Sequence, residues 1–171
     1  MEGPRALPVG LHATVLEADK QREDVMQDRK KSATLVIGVI GEDVHVVGMR
    51  ILGYALSDAG FKVISLGAQV TQEEFIDAAI ETKADAILVS SYSGHAESLA
   101  SGFRDKCHEA GLDHITLLIG GYLLLEQKPW KEVEEKYIGM GFDGVYPPGT
   151  TPTKVVEDLQ QKYFGSTGAT Q

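Results

Sequence analysis

Short apolar segments alternate along this chain with longer segments of helical periodicity, and this alternation restricts the possible folds more than any other feature. The segment Thr34–Ile40 is apolar at nearly every position, which predicts a strand that is buried on both faces. Four similar segments follow at 61–66, 86–90, 115–119 and 144–146. Five strand-then-helix units predict a parallel sheet that is covered by helices on both faces.

The ends of the predicted helices carry signals of their own. Gly60 and Gly111 stand where a left-handed residue ends a helix. Thr71 with Glu74 has the spacing of a capping box, and the pair Thr151-Pro152 places proline at the first position of the last helix.

Composition and charge exclude several classes of protein. The 171 residues include 16 basic and 25 acidic side chains, and the net charge of −9 argues against nucleic acid or an anionic membrane as a partner. No apolar segment approaches the ~20 residues needed to span a bilayer, and residues 1–5 lack the pattern of a secretory signal. The single Cys107 rules out an internal disulfide. We therefore expect a cytoplasmic protein.

The chain divides into three predicted segments. Residues 1–31 are mostly polar and predict either a flexible extension or a docking helix, and the sequence leaves both open. Residues 32–163 are expected to form one domain with a sizeable core. Residues 164–171 predict a disordered tail.

Small and polar residues follow most of the predicted strands, in segments 41–48, 90–95, 120–122 and 146–150. In a parallel sheet covered on both faces, ligands bind beyond the carboxyl ends of the strands. We therefore predict a binding surface at this edge of the sheet.

The segment after the first strand contains Asp43, His45 and Gly48. A carboxylate two residues before a histidine can hold one ring N–H and leave the other nitrogen free for a metal. This pattern predicts that the imidazole of His45 binds a metal.

Several other ligands fit poorly. The glycines of this segment do not have dinucleotide spacing, and the chain has no P-loop motif. Ser90 stands where a phosphoacceptor domain needs aspartate, and the acidic loop after the first strand does not suit a flavin phosphate. No Cys or His lies at zinc-ligand spacing from His45. What remains is a metal whose other ligands come from a macrocycle, and haem and a corrin stay open on this reasoning.

Three motifs taken together resemble the cobalamin-binding module D-x-H-x-x-G, S-x-L and G-G. They are Asp43-x-His45-x-x-Gly48, Ser90-x-Tyr92 and Gly120-Gly121. Tyr92 departs from the leucine of the family. The resemblance covers roughly residues 33–163, and the stretches 36–41, 80–85 and 141–150 are most similar to the small subunits of glutamate mutase (methylaspartate mutase).

This resemblance implies a fold and a set of roles. The fold is a flavodoxin-like (Rossmann-like) three-layer α/β sandwich with five parallel strands in the order 2-1-3-4-5. His45 would be the lower axial ligand of cobalt, held by Asp43, and Gly48 would let the following helix pack closely. Ser90 would hydrogen-bond the base of the displaced nucleotide tail, which would lie in a slot between the sheet and the helices. Gly120 and Gly121 would leave room for that tail, and the remaining neighbours expected to line the site are Glu42, Val44, Val46, Ser91, Tyr92, Tyr122, Leu123 and Leu124.

The resemblance also implies a function. The chain would be the cobalamin-binding subunit of an adenosylcobalamin-dependent isomerase that interconverts L-glutamate and threo-3-methylaspartate. It is too short to include the ~250-residue barrel expected for the radical chemistry. We therefore expect no catalytic residue in this chain, no activity of the chain alone, and a larger barrel-type catalytic partner. The small subunit of an acyl-CoA mutase, a corrinoid methyl carrier and a cobalamin-sensing domain are the alternatives.

Overall fold

The computed structural model describes residues 32–42, 44–123 and 128–165. Within these residues strands and helices alternate as the sequence predicts. The elements are β1 (Thr34–Val39), α1 (Val47–Asp58), β2 (Lys62–Ser65), α2 (Gln72–Thr82), β3 (Ala86–Ser91), α3 (Ala96–Ala100), α4 (Phe103–Glu109), β4 (Thr116–Gly121), α5 (Trp130–Gly139), β5 (Gly144–Tyr146) and α6 (Pro152–Phe164). The expectations for residues 1–31 and 166–171 lie outside the described residues.

The five strands form one parallel sheet in the order β2-β1-β3-β4-β5. This confirms the predicted flavodoxin-like order. β3 and β4 extend further than predicted, because Ser91 pairs with Gly121 and Ser90 pairs with Gly120. The two glycines expected after the fourth strand are therefore its last two residues.

Helices cover both faces of the sheet. On one face α1 and α6 lie in contact, and their Leu56 and Leu159 are buried with Leu35 and Ile37 of β1. Successive strand residues point to opposite faces, so Val36 belongs to the other core. There α2, α3, α4 and α5 contribute buried residues that include Phe75, Phe103 and Tyr137.

The local signals of the sequence operate as expected. The Thr71 hydroxyl accepts a hydrogen bond from the Glu74 backbone N–H, and the Glu74 carboxylate accepts one from the Thr71 N–H. Thr151 caps α6, which begins at Pro152. This helix continues through Phe164, a residue that the sequence placed in the tail, and the Phe164 ring stacks on Phe61 with centroids 4.9 Å apart. No helix among the described residues is long and apolar enough to cross a membrane.

Candidate functional site

A cavity of about 300 Å³ opens at the carboxyl edge of the sheet, between the sheet and the layer formed by α1 and α6. It lies between the sheet and the helices, the region in which the resemblance implies a slot for the nucleotide tail. Four predicted site residues line it: Gly48, Ser90, Gly120 and Gly121. The other lining residues are Met49, Ile51, Leu52, Leu88, Val89, Leu118, Ile119, Tyr146, Pro147, Gly149, Thr150, Pro152 and Val155.

The two glycines at the end of β4 are required by close contacts with neighbouring strands. A Cβ atom on Gly120 would lie 3.1 Å from the Cβ of Tyr146 on β5. Gly121 has a φ of +105°, and a Cβ atom there would lie 2.2 Å from the carbonyl oxygen of Ser91. The two glycines therefore border the cavity and also let β3, β4 and β5 approach one another.

Gly48 has a different role from the one expected. Close packing of the helix on the sheet was the predicted reason for glycine, yet a Cβ atom on Gly48 would meet no atom within 4 Å. Gly53, one and a half turns later, meets that requirement, since its Cβ would lie 2.9 Å from Cδ1 of Ile37. The prediction was right about a close approach of α1 but placed it at the wrong glycine, and Gly48 instead borders the cavity.

Ser90 and Ser91 point to opposite faces of the sheet. Ser90 lines the cavity, whereas Ser91 is completely buried with its hydroxyl lacking a hydrogen-bond partner among the described residues. Leu123 is also buried, in the core on the side of α2 to α5. Ser91 and Leu123 therefore do not line this cavity. The alternation of side chains along a strand is the physical reason for Ser91.

His45 lies in the short loop between β1 and α1 and is exposed. Its neighbours Glu42 and Val44 are exposed too, and Val46 is half-buried. Asp43 and Leu124 lie outside the described residues. His45 is therefore presented at the carboxyl edge, directly before the helix that forms one wall of the cavity.

Three aromatic rings form a row along this edge. The centroid of the His45 imidazole lies 4.9 Å from that of Tyr92, with the rings tilted by 44°. The centroid of Tyr92 lies 5.5 Å from that of Tyr122, with a tilt of 46°. We call His45, Tyr92 and Tyr122 the aromatic row. It joins the loops that follow β1, β3 and β4.

The described residues contain no group of three or more His, Cys, Asp or Glu side chains that could hold a metal ion. At most two such side chains of the described residues therefore lie close enough together to share one metal ion.

Tyr146 belongs to the segment 146–150 of the predicted binding surface, but the sequence did not single it out as a site residue. It pairs with Gly120 across β4 and β5, lines the cavity and donates a hydrogen bond of 3.3 Å to the Asp158 carboxylate. Burial, and then the nearby Asp158 charge, raise the pKa of the Tyr146 hydroxyl, which keeps it neutral. Its place at the end of the fifth strand was the usable signal in the sequence.

A family model described as a B12 binding domain matches residues 33–156. The glutamate mutase sigma subunit of Carboxydothermus hydrogenoformans is 51% identical over 131 residues, which make up 77% of this chain and 96% of that protein. The glutamate mutase sigma subunit of Clostridium tetanomorphum is 48% identical over 128 residues, covering 75% of this chain and 93% of that protein. These comparisons confirm the resemblance predicted from the motifs.

A solved structure supports the fold. A cobalamin-binding protein from Desulfitobacterium hafniense DCB-2 matches with a TM-score of 0.64 and 22% sequence identity, covering 77% of this chain and 59% of that chain. At this identity the likeness concerns the fold alone.

Proposed function

Because this chain belongs to the glutamate mutase sigma subunit family and carries its B12-binding domain, we propose that it holds cobalamin at the carboxyl edge of its sheet. His45 is the residue that would bind the cobalt. The cavity between the sheet and α1 and α6 is the proposed place for the cofactor's nucleotide tail. The observation that carries the proposal is that this cavity is bordered by Gly48, three residues after His45, and by the carboxyl ends of β3 and β4.

The residues fit such a cofactor. The cavity, at about 300 Å³, lies at the lower end of the range of small-molecule pockets, and its walls are mostly aliphatic. An apolar slot of this kind suits a flat aromatic base. The hydroxyls of Ser90 and Thr150 supply polar groups at its border. Gly48 and Gly120 leave open the space that side chains would fill.

Each part of the site has a separate task. His45 would bind the cobalt through one ring nitrogen and so hold the cofactor. Asp43, two residues earlier, is proposed to hydrogen-bond the other ring nitrogen and so to select the tautomer. The walls of the cavity exclude water from the buried tail, and Ser90 fixes the orientation of its base.

The reaction itself is proposed to require a partner subunit. Bound in its adenosyl form, cobalamin supplies radical chemistry by homolysis of its Co–C bond. The described residues of this chain would hold the cofactor through His45 and the cavity. A larger barrel-type catalytic subunit is proposed to complete the site, and the two subunits together would interconvert L-glutamate and threo-3-methylaspartate as an isomerase.

Cobalamin binding is tested with the full chain labelled with ¹⁵N at histidine. The chain is mixed with cobalamin, the cobalt is reduced to Co(II), and nitrogen hyperfine coupling is measured by EPR. We expect coupling to a labelled histidine nitrogen in the wild-type chain. In His45→Ala we expect this coupling to disappear and the affinity for cobalamin to fall.

His95→Ala is the matched control, because His95 is also exposed and lies in the loop after β3. It should retain the labelled coupling. Coupling that persists in His45→Ala, or that is lost in His95→Ala instead, would contradict the assignment of His45. The substrate is tested separately by adding candidate catalytic subunits and following the conversion of L-glutamate to 3-methylaspartate.

A further inference from the structure

The two tyrosine rings of the aromatic row are largely exposed to solvent. Tyr92 is 57% exposed and Tyr122 is 49% exposed, although each ring contacts another ring. Single exposed aromatic residues are common, but an exposed apolar group assembled from three separate loops indicates a binding role.

Sheet register is what brings the three rings together. Ser91 and Gly121 are paired at the ends of β3 and β4, so Tyr92 and Tyr122 leave the sheet side by side. The backbone N–H of Tyr122 donates a hydrogen bond of 2.7 Å to the Ser91 carbonyl oxygen, which fixes the start of both loops. β1, which precedes the His45 loop, is the other neighbour of β3. Tyr92 therefore occupies the central position of the row.

We propose that Tyr92, supported by Tyr122, is a positioning residue for the His45 imidazole. His45 is an exposed side chain on a loop, and such a side chain samples several rotamers unless something restricts it. The Tyr92 ring, whose centroid lies 4.9 Å from that of the imidazole, limits the rotation of the imidazole. Tyr122 in turn limits the rotation of Tyr92. This inference rests on the proposed function, since it concerns how the axial ligand is held.

The expected benefit is pre-organisation. A ligand that binds a freely rotating side chain must order it, and this ordering weakens the affinity by about two- to tenfold for one side chain. Ring–ring contacts at centroid distances of 4.5–7 Å are favourable enough to supply this restriction before the ligand arrives. Removing the Tyr92 ring should therefore lower the affinity for cobalamin by about two- to tenfold.

The experiment compares four variants of the full chain with the wild type. Tyr92→Leu removes the central ring, and Tyr92→Phe keeps the ring without its hydroxyl. Tyr122→Leu removes the supporting ring. Tyr54→Leu is the matched control, because Tyr54 is a tyrosine on α1 that is 73% exposed and does not belong to the row.

Two quantities are measured for each variant. The first is the chemical shift of the carbon-bound imidazole protons of His45 in the cofactor-free chain at constant pH, which reports the neighbouring ring directly. The second is the dissociation constant for cobalamin. We expect Tyr92→Leu to change both, and Tyr92→Phe to change both less than Tyr92→Leu does. Tyr122→Leu should have a smaller effect than Tyr92→Leu. Tyr54→Leu should match the wild type.

The outcomes separate the two proposals. If the wild type binds cobalamin and Tyr92→Leu has unchanged His45 shifts and unchanged affinity, the positioning role is wrong while the proposed function stands. A loss of affinity in Tyr54→Leu as large as that in Tyr92→Leu would also overturn it, because the effect would not be specific to the row. If the wild type does not bind cobalamin, both proposals fail.

Discussion

Gly121→Ala should destabilise the chain even when no cofactor is present. Gly121 has a φ of +105°, a conformation that residues with a Cβ atom rarely adopt. The added Cβ would lie 2.2 Å from the carbonyl oxygen of Ser91, which belongs to the backbone of β3 and has no rotamer through which to move away. The last residue pair of β3 and β4 would have to separate.

The size of the effect follows from these two contributions. The left-handed conformation costs alanine about 1–2 kcal/mol relative to glycine. Separation of the strands breaks the 2.7 Å hydrogen bond from the Tyr122 N–H to the Ser91 carbonyl oxygen, which contributes about 0.5–1.5 kcal/mol. Together they predict that the free energy of unfolding falls by about 1.5–3.5 kcal/mol.

Urea denaturation followed by circular dichroism measures this difference. The midpoint should move to lower urea by an amount on the order of 1 M. Gly48→Ala is the matched control, because a Cβ atom on Gly48 meets no atom within 4 Å and its φ is not positive. Since alanine favours a helix over glycine, this control should be unchanged or more stable by up to about 1 kcal/mol. A loss below about 0.5 kcal/mol in Gly121→Ala would refute the reasoning.

Two further predictions concern buried titratable groups. Burial raises the pKa of the Cys107 thiol to about 11, so the native chain should not react with Ellman's reagent near neutral pH, and reaction should follow unfolding in urea; rapid reaction of the native chain would contradict its burial. Burial likewise raises the pKa of Tyr163 to about 12, above the value of about 10 expected in the unfolded chain. The neutral phenol therefore contributes its full stability below about pH 10, and this contribution is lost as the pH rises to about 12. Tyr163→Phe should reduce this alkaline loss and lower the stability at neutral pH by about 1 kcal/mol, because the Asp85 carbonyl loses its hydrogen-bond donor and the Thr116 hydroxyl loses its hydrogen-bond partner. Equal urea midpoints for both chains at every pH would be the contrary result.

The sheet could be predicted well from the sequence because a buried strand requires apolar residues. A strand such as β1, covered on both faces, must be apolar at nearly every position, and this pattern is visible without any knowledge of its neighbours. The capping box at Thr71 is equally local. The edge that carries His45 could be predicted as well, since all strands of a parallel sheet end on the same side.

Contacts between distant segments limited the prediction of the site. Whether Gly48 or Gly53 touches the sheet depends on how α1 lies on β1, and the glycines themselves do not reveal this. The wall that α6 contributes to the cavity depends on its contact with α1, which is far away in the sequence. The position of Ser91 is a different case, because the alternation of side chains along a strand already assigns it to the face opposite Ser90.

The position of the last turn of α6 also determines at which edge of the sheet a surface or a fusion partner could be attached to the described domain. Phe164 stacks on Phe61, and the Tyr163 hydroxyl donates to the carbonyl oxygen of Asp85, just before β3. Both Ser32 and Gly165 therefore lie at the amino edge of the sheet, a strand length of ~20 Å from His45. A surface attachment through either flank would leave the cavity facing solution. A single-chain fusion to a partner docked at the carboxyl edge would need a linker of at least about six extended residues to pass along the sheet.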